Sequence, residues 1–274
     1  MERKNQLIIV RGGGEIATGI IHKLHRCGYP VLALESGFPS AIRRFVAFSE
    51  AIYEGSWEVE EVRAVKVSCY EEACAVLEEG DIPVMIDETC NVLKKKRPWA
   101  LVDGILAKRN VGTTREMADK IIGLGPGFTA GKDVDLVIET MRGHNLGRII
   151  GHGSALPDTG VPGKHEGIGT ERVIHSPARG IFLGKAGIGD RVVKGQMIGT
   201  VVTGQGEVAV EASVTGLLRG IIKDGFPVEK GLKIADIDPR EREYESCFTI
   251  SDTARCIAGA VLEGLLMLER KQGY

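Results

Sequence analysis

Residues 9–20 read IVRGGGEIATGI, three consecutive glycines between an apolar run and the start of a helix-like segment. Gly12, Gly14 and Ala17 satisfy the pattern G-x-G-x-x-[GA], in which glycines permit a tight turn and a close backbone approach to a pyrophosphate. Glu35 lies 23 residues after Gly12, near the spacing of a ribose-binding acid. The stretch predicts a nucleotide-binding turn. A tight βα turn without a ligand is the alternative, and the negative charge of Glu15 at the helix start favours it.

Outward from this turn, short apolar runs alternate with segments of helical periodicity over the first 140 residues. Such alternation predicts an α/β fold, a Rossmann-like N-terminal domain with a mainly parallel sheet over residues 1–170. The strand candidates are 7–10, 31–34, 83–86, 100–106, 120–124 and 136–139, and the helix candidates are 16–24, 42–52 and 69–79.

Residues 176–238 contain an internal repeat with a constant offset of 36 residues. Gly180, Gly184 and Gly189 recur as Gly216, Gly220 and Gly225, with strand-forming residues between them. Units of this kind bury their apolar faces against each other, so the repeat predicts a small all-β domain over residues 171–240. It resembles the biotinyl/lipoyl barrel-sandwich fold. Carrier members have a lysine at the hairpin tip and residues 201–212 have none, so the resemblance implies a structural or docking module.

The tail, residues 241–274, has a broad apolar helical face that begins after Ser251 and Asp252. Either residue is a suitable helix cap. Because an apolar face must be buried, we expect this helix to pack on the first domain or on a second subunit, so a homo-oligomer is one expectation.

The composition is that of a globular protein, with 43% hydrophobic residues, 26% charged residues and a net charge of −2. This charge does not suggest nucleic acid or an anionic membrane surface as a partner. No apolar run reaches the roughly 20 residues of a membrane span, and the apolar stretch near the N-terminus is too short for a signal peptide, so we expect a cytoplasmic protein. Six cysteines without paired spacing indicate reduced thiols, among which Cys90 is the one to test for reactivity.

Two further polar regions, residues 106–114 and 123–149, carry candidate site residues between glycines. Cationic and hydroxyl side chains after a strand, and successive N–H groups in glycine loops, both suit anions. Thr113 is alternatively the cap of a short helix. His144 is the candidate proton-transfer residue, with a loop histidine bonded to backbone as its alternative. His22 and His25 have no third ligand, so no metal site is predicted. The candidate cofactor-binding residues are Gly12, Gly13, Gly14, Glu35, Arg43, Lys108, Arg109, Asn110, Thr113, Gly125, Gly127, Phe128, Thr129 and Arg142.

Several stretches together resemble the YqeB-type proteins of bacterial selenium-dependent molybdenum hydroxylase systems. They are RGGGEIATGIIHKLHRCGYPVLALE, AIRRFVAFSEAIYEG, AKRN with the following GT, GLGPGFTAGKDVDLVIETMRGHNLGR, DTGVPG and DIDPR. The resemblance implies a role in building or activating a molybdenum enzyme beside other accessory proteins. The first domain is more loosely similar to XdhC-type molybdenum-cofactor insertion chaperones, which implies a nucleotide or molybdopterin nucleotide as ligand.

Three functional hypotheses follow. The first is a maturation factor that binds a phosphorylated small molecule and docks on a molybdenum hydroxylase. The second is an NAD(P)-dependent oxidoreductase, based on the glycine pattern with Glu35. The third is a non-catalytic scaffold whose glycine loops bind only backbone.

Overall fold

The computed structural model describes residues 3–160 and 169–271, and the chain divides into two compact units. Unit 1 comprises residues 1–39, 47–159 and 250–274, and unit 2 comprises residues 40–46 and 160–249. The DTGVPG motif, which begins at Asp158, runs into residues 161–163, and these lie outside the described residues.

Unit 1 is built on a mixed sheet of nine strands among the described residues. The strands are β1 Ile8–Arg11, β2 Val31–Glu35, β3 Ser56–Val59, β4 Val62–Val67, β5 Ile82–Ile86, β6 Ala100–Asp103, β7 Ile121–Leu124, β8 Leu136–Ile138 and β9 Ile149–Ile150. Their order across the sheet is β3-β4-β5-β2-β1-β6-β7-β8-β9. Neighbours from β4 to β8 are parallel, whereas β3 and β9 pair antiparallel at the two edges.

The predicted Rossmann-like, nucleotide-binding domain is wrong. The α-helices of the described residues are α1 Glu15–Arg26, α2 Ala51–Glu54, α3 Tyr70–Glu79 and α4 Asp252–Lys271. Of these, α1 connects β1 to β2 and α3 connects β4 to β5. The fully described connections from β6 to β7 and from β7 to β8 contain no α-helix, so the sheet is not doubly wound and Thr113 caps no helix.

The helix predicted over residues 42–52 is replaced by short 3-10 turns and the four-residue α2. The cause is that its backbone groups bond elsewhere. The carbonyl of Ile42 accepts the N–H of Ile221 at 2.9 Å, and the N–H of Ser49 donates to the carbonyl of Gly13 at 2.9 Å. An apolar repeat at helical spacing was therefore insufficient to predict a helix here.

Unit 2 contains two four-stranded antiparallel sheets, ordered β10-β17-β15-β12 and β14-β13-β11-β16. The strands are β10 Val173–His175, β11 Gly180–Gly184, β12 Arg191–Val192, β13 Met197–Thr203, β14 Gly206–Glu211, β15 Gly216–Ile221, β16 Pro227–Val228 and β17 Lys233–Asp238. A shared core that includes Phe182 and Leu218 lies between the sheets. The predicted barrel-sandwich domain is thus corrected to two packed antiparallel sheets, and equivalent strands of the 36-residue repeat lie in opposite sheets.

The tail forms the long helix that its apolar pattern predicts. The hydroxyl of Ser251 accepts the N–H of Ala254 at 3.2 Å, which caps the helix that begins at Asp252. α4 packs closely on α1, because a Cβ at Gly19 would lie 2.9 Å from the Cβ of Ala254. None of the helices in the described ranges is long and apolar enough to cross a membrane.

Candidate functional site

The carboxyl ends of the parallel strands in unit 1 form one edge of the sheet, which we call the carboxyl edge. Open sheets of parallel strands commonly bind ligands at this edge. Most of the predicted residues lie at this edge. Glu35 is the last residue of β2, and the others lie on loops that leave the edge, namely Gly12, Gly13, Gly14, Lys108, Arg109, Asn110, Thr113, Gly125, Gly127, Phe128, Thr129, Arg142 and His144. Arg43 is placed in unit 2 instead, where its guanidinium donates to the carbonyl of Ser246 at 2.7 Å.

The glycine loop after β1 is closed by the chain's own backbone. A Cβ at Gly12, whose φ is +96°, would lie 3.1 Å from the carbonyl oxygen of Gly104. A Cβ at Gly13 would lie 2.9 Å from the backbone nitrogen of Ser49, whereas Gly14 has open space beside it. These contacts are those of a tight structural turn. A role for this loop in ligand binding stays a prediction.

The carboxylate of Glu35 occupies the N–H groups beside that loop. Its two oxygens accept the backbone N–H of Gly13 at 2.6 Å and of Ser36 at 2.7 Å. Burial raises the pKa of Glu35 above its usual value, and the nearby charge of Glu88 adds to the rise, although the two backbone hydrogen bonds oppose it. The backbone N–H of Gly13, which the sequence suggested as a donor to a ligand, therefore donates to the carboxylate of Glu35.

A buried ionic network at the centre of the carboxyl edge was not predicted. Arg11, which is 3% exposed, donates from Nη1 to Asp103 at 3.1 Å and to the hydroxyl of Thr113 at 2.5 Å. That hydroxyl in turn donates to Asp103 at 2.6 Å. Nη2 donates to the carbonyls of Glu88 at 2.9 Å and Val111 at 3.4 Å. Arg11 thus connects the end of β6 with the loops after β5 and β6. Its only sequence signal was a cation that ends an apolar strand.

The loop between β6 and β7 is held by Asn110 and Thr113. The side-chain oxygen of Asn110 accepts the N–H of Gly112 at 2.9 Å and of Thr113 at 2.8 Å. Leu106 and Lys108 adopt left-handed conformations with φ of +59° and +61°, which are costly for residues with a side chain. Asn110 and Thr113 therefore support the loop, and Thr113 is fully buried. A ligand-binding role for either residue stays a prediction.

The second glycine-rich segment, after β7, is also tightly packed. A Cβ at Gly125 would lie 2.6 Å from the hydroxyl of Thr140, and a Cβ at Gly127 would lie 2.5 Å from the Cα of Arg109. Phe128 is buried, and the N–H of Thr129 donates to Asp133 at 2.9 Å. This segment positions the neighbouring loops through close backbone contacts.

A cleft of about 410 Å³ lies next to β8 and β9 at the end of the carboxyl edge, and we call it the β8 cleft. Its floor includes Glu139, which is 2% exposed and whose oxygens accept the N–H groups of Met141 and Leu156, each at 2.8 Å. The cleft combines amide, hydroxyl, guanidinium and imidazole groups with aliphatic side chains. It is lined by Glu139, Asn145, Arg148, Ile149, Ile150, Gly151, His152, Ser154 and Leu156.

The predicted residues nearest to this cleft in sequence do not line it. Arg142 forms an ion pair with Asp252 at 2.5 Å, and His144 is exposed outside the lining. Arg148 and His152 were missed, although both stand in the glycine-bounded segment that the sequence had singled out. The antiparallel pairing of β9 with β8 is what brings them to the cleft.

Cys90 is buried behind the Arg11 network with a left-handed φ of +58°. Burial raises the pKa of the Cys90 thiol, and the carboxylates of Asp87 and Asp103 add to the rise, although Arg11 opposes it. A raised pKa and burial both disfavour the reactive thiolate.

No protein-family model matches the chain. Over 264 residues, which are 96% of the chain, 46% of the residues are identical to "Uncharacterized protein YqeB" of Escherichia coli strain K12. The chain is similar to YqeB. It spans 48% of the length of that curated relative. The resemblance to YqeB-type proteins is therefore confirmed over the aligned part.

Solved structures that align with most of the chain resemble it only weakly, as their TM-scores show. The ectoine utilization protein EutE (DoeB) from Ruegeria pomeroyi is 11% identical, with 85% of this chain and 86% of that chain covered and a TM-score of 0.26. A succinylglutamate desuccinylase/aspartoacylase from Rhodobacter sphaeroides is 12% identical, with 85% of each chain covered and a TM-score of 0.28. TM-scores this low support no conclusion about function.

Proposed function

We propose that the chain is an accessory factor in the maturation of a selenium-dependent molybdenum hydroxylase, acting in the cytoplasm beside other accessory proteins. The similarity to YqeB and the motifs shared with YqeB-type proteins support this role. The ligand in this proposal is a phosphorylated small molecule of the molybdopterin type, bound in the β8 cleft.

The observation that carries the ligand proposal is the composition of the β8 cleft. Arg148 supplies a planar guanidinium suited to bidentate contact with a phosphate, and His152 and Asn145 add donors. Ile149 and Ile150 add aliphatic surface for a ring system. A volume of about 410 Å³ is within the range of small-molecule sites, roughly 300–1,000 Å³.

Glu139 does not prevent an anion from binding in this cleft. Both of its carboxylate oxygens accept backbone N–H groups, which compensate its charge and fix its orientation. Its role in the proposal is to hold Met141, in the loop from β8 to β9, and Leu156, in the segment after β9, so that both segments keep the shape of the cleft.

The oxidoreductase hypothesis gains no support from the structure. It depended on a glycine loop open to a dinucleotide, and the N–H of Gly13 donates to Glu35 instead. The scaffold hypothesis differs from our proposal in a measurable way, since a scaffold needs no ligand in the β8 cleft.

Calorimetry and thermal unfolding of the purified chain with molybdopterin and its nucleotide form test the ligand. A ligand of the folded state at 100 times its Kd stabilises it by about 2.7 kcal/mol. We expect Arg148→Gln to weaken binding by about tenfold or more, because a charge-assisted hydrogen bond contributes roughly 1.5–3 kcal/mol. The matched control is Arg63→Gln, which changes an exposed arginine of the same unit that pairs with Asp81. Equal binding by both variants, or no stabilisation by either compound, would contradict the ligand proposal.

The maturation role has its own test in cells. Deletion of the gene is expected to lower hydroxylase activity at unchanged hydroxylase protein level, and the Arg148→Gln chain is expected to restore less activity than the Arg63→Gln chain. Full hydroxylase activity in the deletion strain would contradict the role even if the ligand binds.

A further inference from the structure

In unit 2, β14 is the longest strand at a sheet edge within residues 3–160 and 169–271. It has six residues and lies at the end of its sheet, with β13 as its neighbour. The other edge strands, which have two to four residues each, are β3, β9, β10, β12 and β16. Natural edge strands are commonly very short or carry proline, because their unpaired backbone groups attract other chains. β16 shows both features, with two residues that include Pro227, and β14 shows neither.

The backbone of β14 has unused hydrogen-bonding groups on the side away from β13. In an antiparallel pair, alternate residues direct both N–H and C=O away from the neighbouring strand. The register runs from Gly206 opposite Thr203 to Glu211 opposite Met197. In the part of the chain that the structure describes, the backbone of residues 207–211 is hydrogen-bonded to β13 alone. This edge can therefore accept a further strand, as sheets do when they bind extended peptides.

The sheet beside this edge has an aliphatic outer face, which is the side opposite to the core that contains Phe182. Successive side chains of a strand point to opposite faces, so Ile181 and Leu183 lie on the outer face of β11. The register places Ile181 opposite Val202 and Leu183 opposite Thr200. Ile181, Leu183 and Val202 are 36–42% exposed. A strand added at β14 would continue this face.

Two carboxylates on β14 indicate the charge of a segment that fits the edge. Glu207 and Glu211 lie with Ala209 on the outer face, about 13 Å apart at four residues along the strand. Both are exposed, and neither forms an ion pair with any residue that the structure describes. Pairing of β14 with a second copy of itself, centred on Ala209, would place Glu207 of each copy opposite Glu211 of the other. Like charges in opposite positions are destabilising, so the carboxylates disfavour that pairing and favour a cationic segment.

We propose that the free edge of β14 binds an extended segment of a partner protein that carries two cationic residues, opposite Glu207 and Glu211. Backbone hydrogen bonds to β14 hold the segment, and the two charge pairs fix its register. Its core-facing side chains cover Val208, which is 37% exposed although Val201 opposite to it is fully buried. The segment therefore has the pattern cation, aliphatic, any residue, aliphatic, cation. The inference does not depend on the proposed ligand or on the maturation role.

Fluorescence anisotropy of labelled peptides with the full chain tests the proposal. The probe is Ser-Lys-Val-Thr-Val-Lys-Ser, which we call the Lys peptide, and the Glu peptide has glutamate in place of both lysines. We expect the unchanged protein to bind the Lys peptide about tenfold or more tightly than the Glu peptide, because opposite charges across strands attract and like charges repel. The variant Glu207→Lys/Glu211→Lys is expected to reverse this preference.

Three controls separate strand addition from general attraction between charges. A Lys peptide with N-methylated valines keeps its charges but loses backbone donors, and we expect it to bind about tenfold or more weakly. Glu229→Lys changes an exposed glutamate that follows β16, at the opposite edge of the same sheet, and should leave the affinity unchanged. Hydrogen exchange in residues 207–211 should slow when the Lys peptide binds.

Thermal unfolding of each variant verifies that the fold is retained, which the exposure of the three glutamates favours. Failure of the Lys peptide to bind at millimolar concentration overturns the proposal. Equal binding of the N-methylated peptide overturns it as well, and so does a preference that the Glu207→Lys/Glu211→Lys variant leaves unchanged.

Discussion

Each unit contains a buried cluster of charged side chains, and the two clusters differ in the parts of the chain that they connect. In unit 1, Arg11 bonds to Asp103, to Thr113 and to carbonyls of two loops. In unit 2, Asp236 is shared by Arg172 and Arg219, and Asp238 is bonded by Arg240. The unit 1 cluster connects loops of the carboxyl edge, whereas in the unit 2 cluster the pair of Arg219 with Asp236 connects neighbouring strands of one sheet.

This difference indicates different roles for similar chemistry. Buried ion pairs add little net stability compared with apolar packing, so their value lies in the geometry that they specify. Around Arg11 that geometry is a set of loops that present exposed side chains. Around Asp236 it is the alignment of β15 and β17 within a closed core, since Arg219 is on β15 and Asp236 is on β17.

The largest expected effect is that of Asp236→Ala. The carboxylate is 1% exposed, and its removal leaves Arg172 and Arg219 without their shared partner in a buried position. Breaking a buried pair from one side costs about 3–5 kcal/mol, and two cations place this variant at the upper end. Denaturant unfolding measures the loss. The control is Glu229→Ala, whose pair with Arg179 is solvent-exposed, so we expect a change of about 0–1 kcal/mol. Equal losses in both variants would contradict a structural role for the buried cluster.

Arg11→Met is expected to cost less, about 2–3 kcal/mol. Asp103 keeps two hydrogen-bond donors after the change, the hydroxyl of Thr113 at 2.6 Å and the N–H of Ile105 at 3.2 Å. Its carboxylate is therefore not left without hydrogen bonds. We expect the clearer effect of this variant in the hydrogen exchange of the loops that Arg11 bonds to. Hydrogen exchange should accelerate in residues 86–91 and 104–113 while unit 2 keeps its protection. Uniform acceleration over both units would show that Arg11 serves the whole fold instead of these loops.

The two clusters also show how far the sequence predicts this molecule. The turn at Gly12 is predictable, because its φ of +96° requires glycine and neighbouring residues begin a helix. The space beside the turn is filled by the backbone of Ser49 and Gly104, which are distant in sequence. The sequence pattern does not reveal these contacts, and the turn was therefore interpreted as a nucleotide site. For the same reason Arg11 was overlooked, since its partners Asp103 and Thr113 are 92 and 102 residues away.

In unit 2 the repeat correctly indicated paired β elements, because glycine turns and apolar strands are local signals. It did not predict that matching strands of the two repeats enter opposite sheets. In the β8 cleft the missed residues, Arg148 and His152, are close in sequence to Glu139. They were overlooked because only the short pairing of Ile149 and Ile150 with β8 brings them to the same cleft.

The pH dependence of stability should also distinguish the clusters. Burial raises the pKa of Asp238, but hydrogen bonds from Arg240 and its charge outweigh this and lower the pKa to about 2. The folded state then holds that proton less tightly than the unfolded state. Asp238 therefore contributes about 2 kcal/mol above pH ~4, and this is lost as the pH falls from ~4 to ~2.

Glu35 in unit 1 has the opposite sign. Its raised pKa means that the folded state binds the proton more tightly, so ionisation costs stability as the pH rises from its ordinary pKa through the raised value. Denaturant unfolding from pH 2 to 7 measures both effects. Asp238→Asn should flatten the acid limb, and Glu35→Gln should flatten the change above pH ~4. Identical pH profiles for the unchanged protein and both variants would contradict these assignments.

The smallest expected change in the free energy of unfolding concerns the strained loop that Arg11 supports, and its sign shows whether the loop stores strain. Lys108 has a φ of +61° and an exposed ion pair with Asp158 at 2.5 Å. Lys108→Gly removes the strain, about 1 kcal/mol or more, at the expense of glycine's greater unfolded-state entropy and a weak surface pair. We expect a net stabilisation of about 0.5 kcal/mol. Lys132→Gly is the matched control, an exposed lysine without a positive φ, and it should lose about 0.5–1 kcal/mol. If both variants lose stability equally, the left-handed conformation of Lys108 stores no strain, and the contrast between a loop-supporting cluster and a core-forming cluster loses one of its supports.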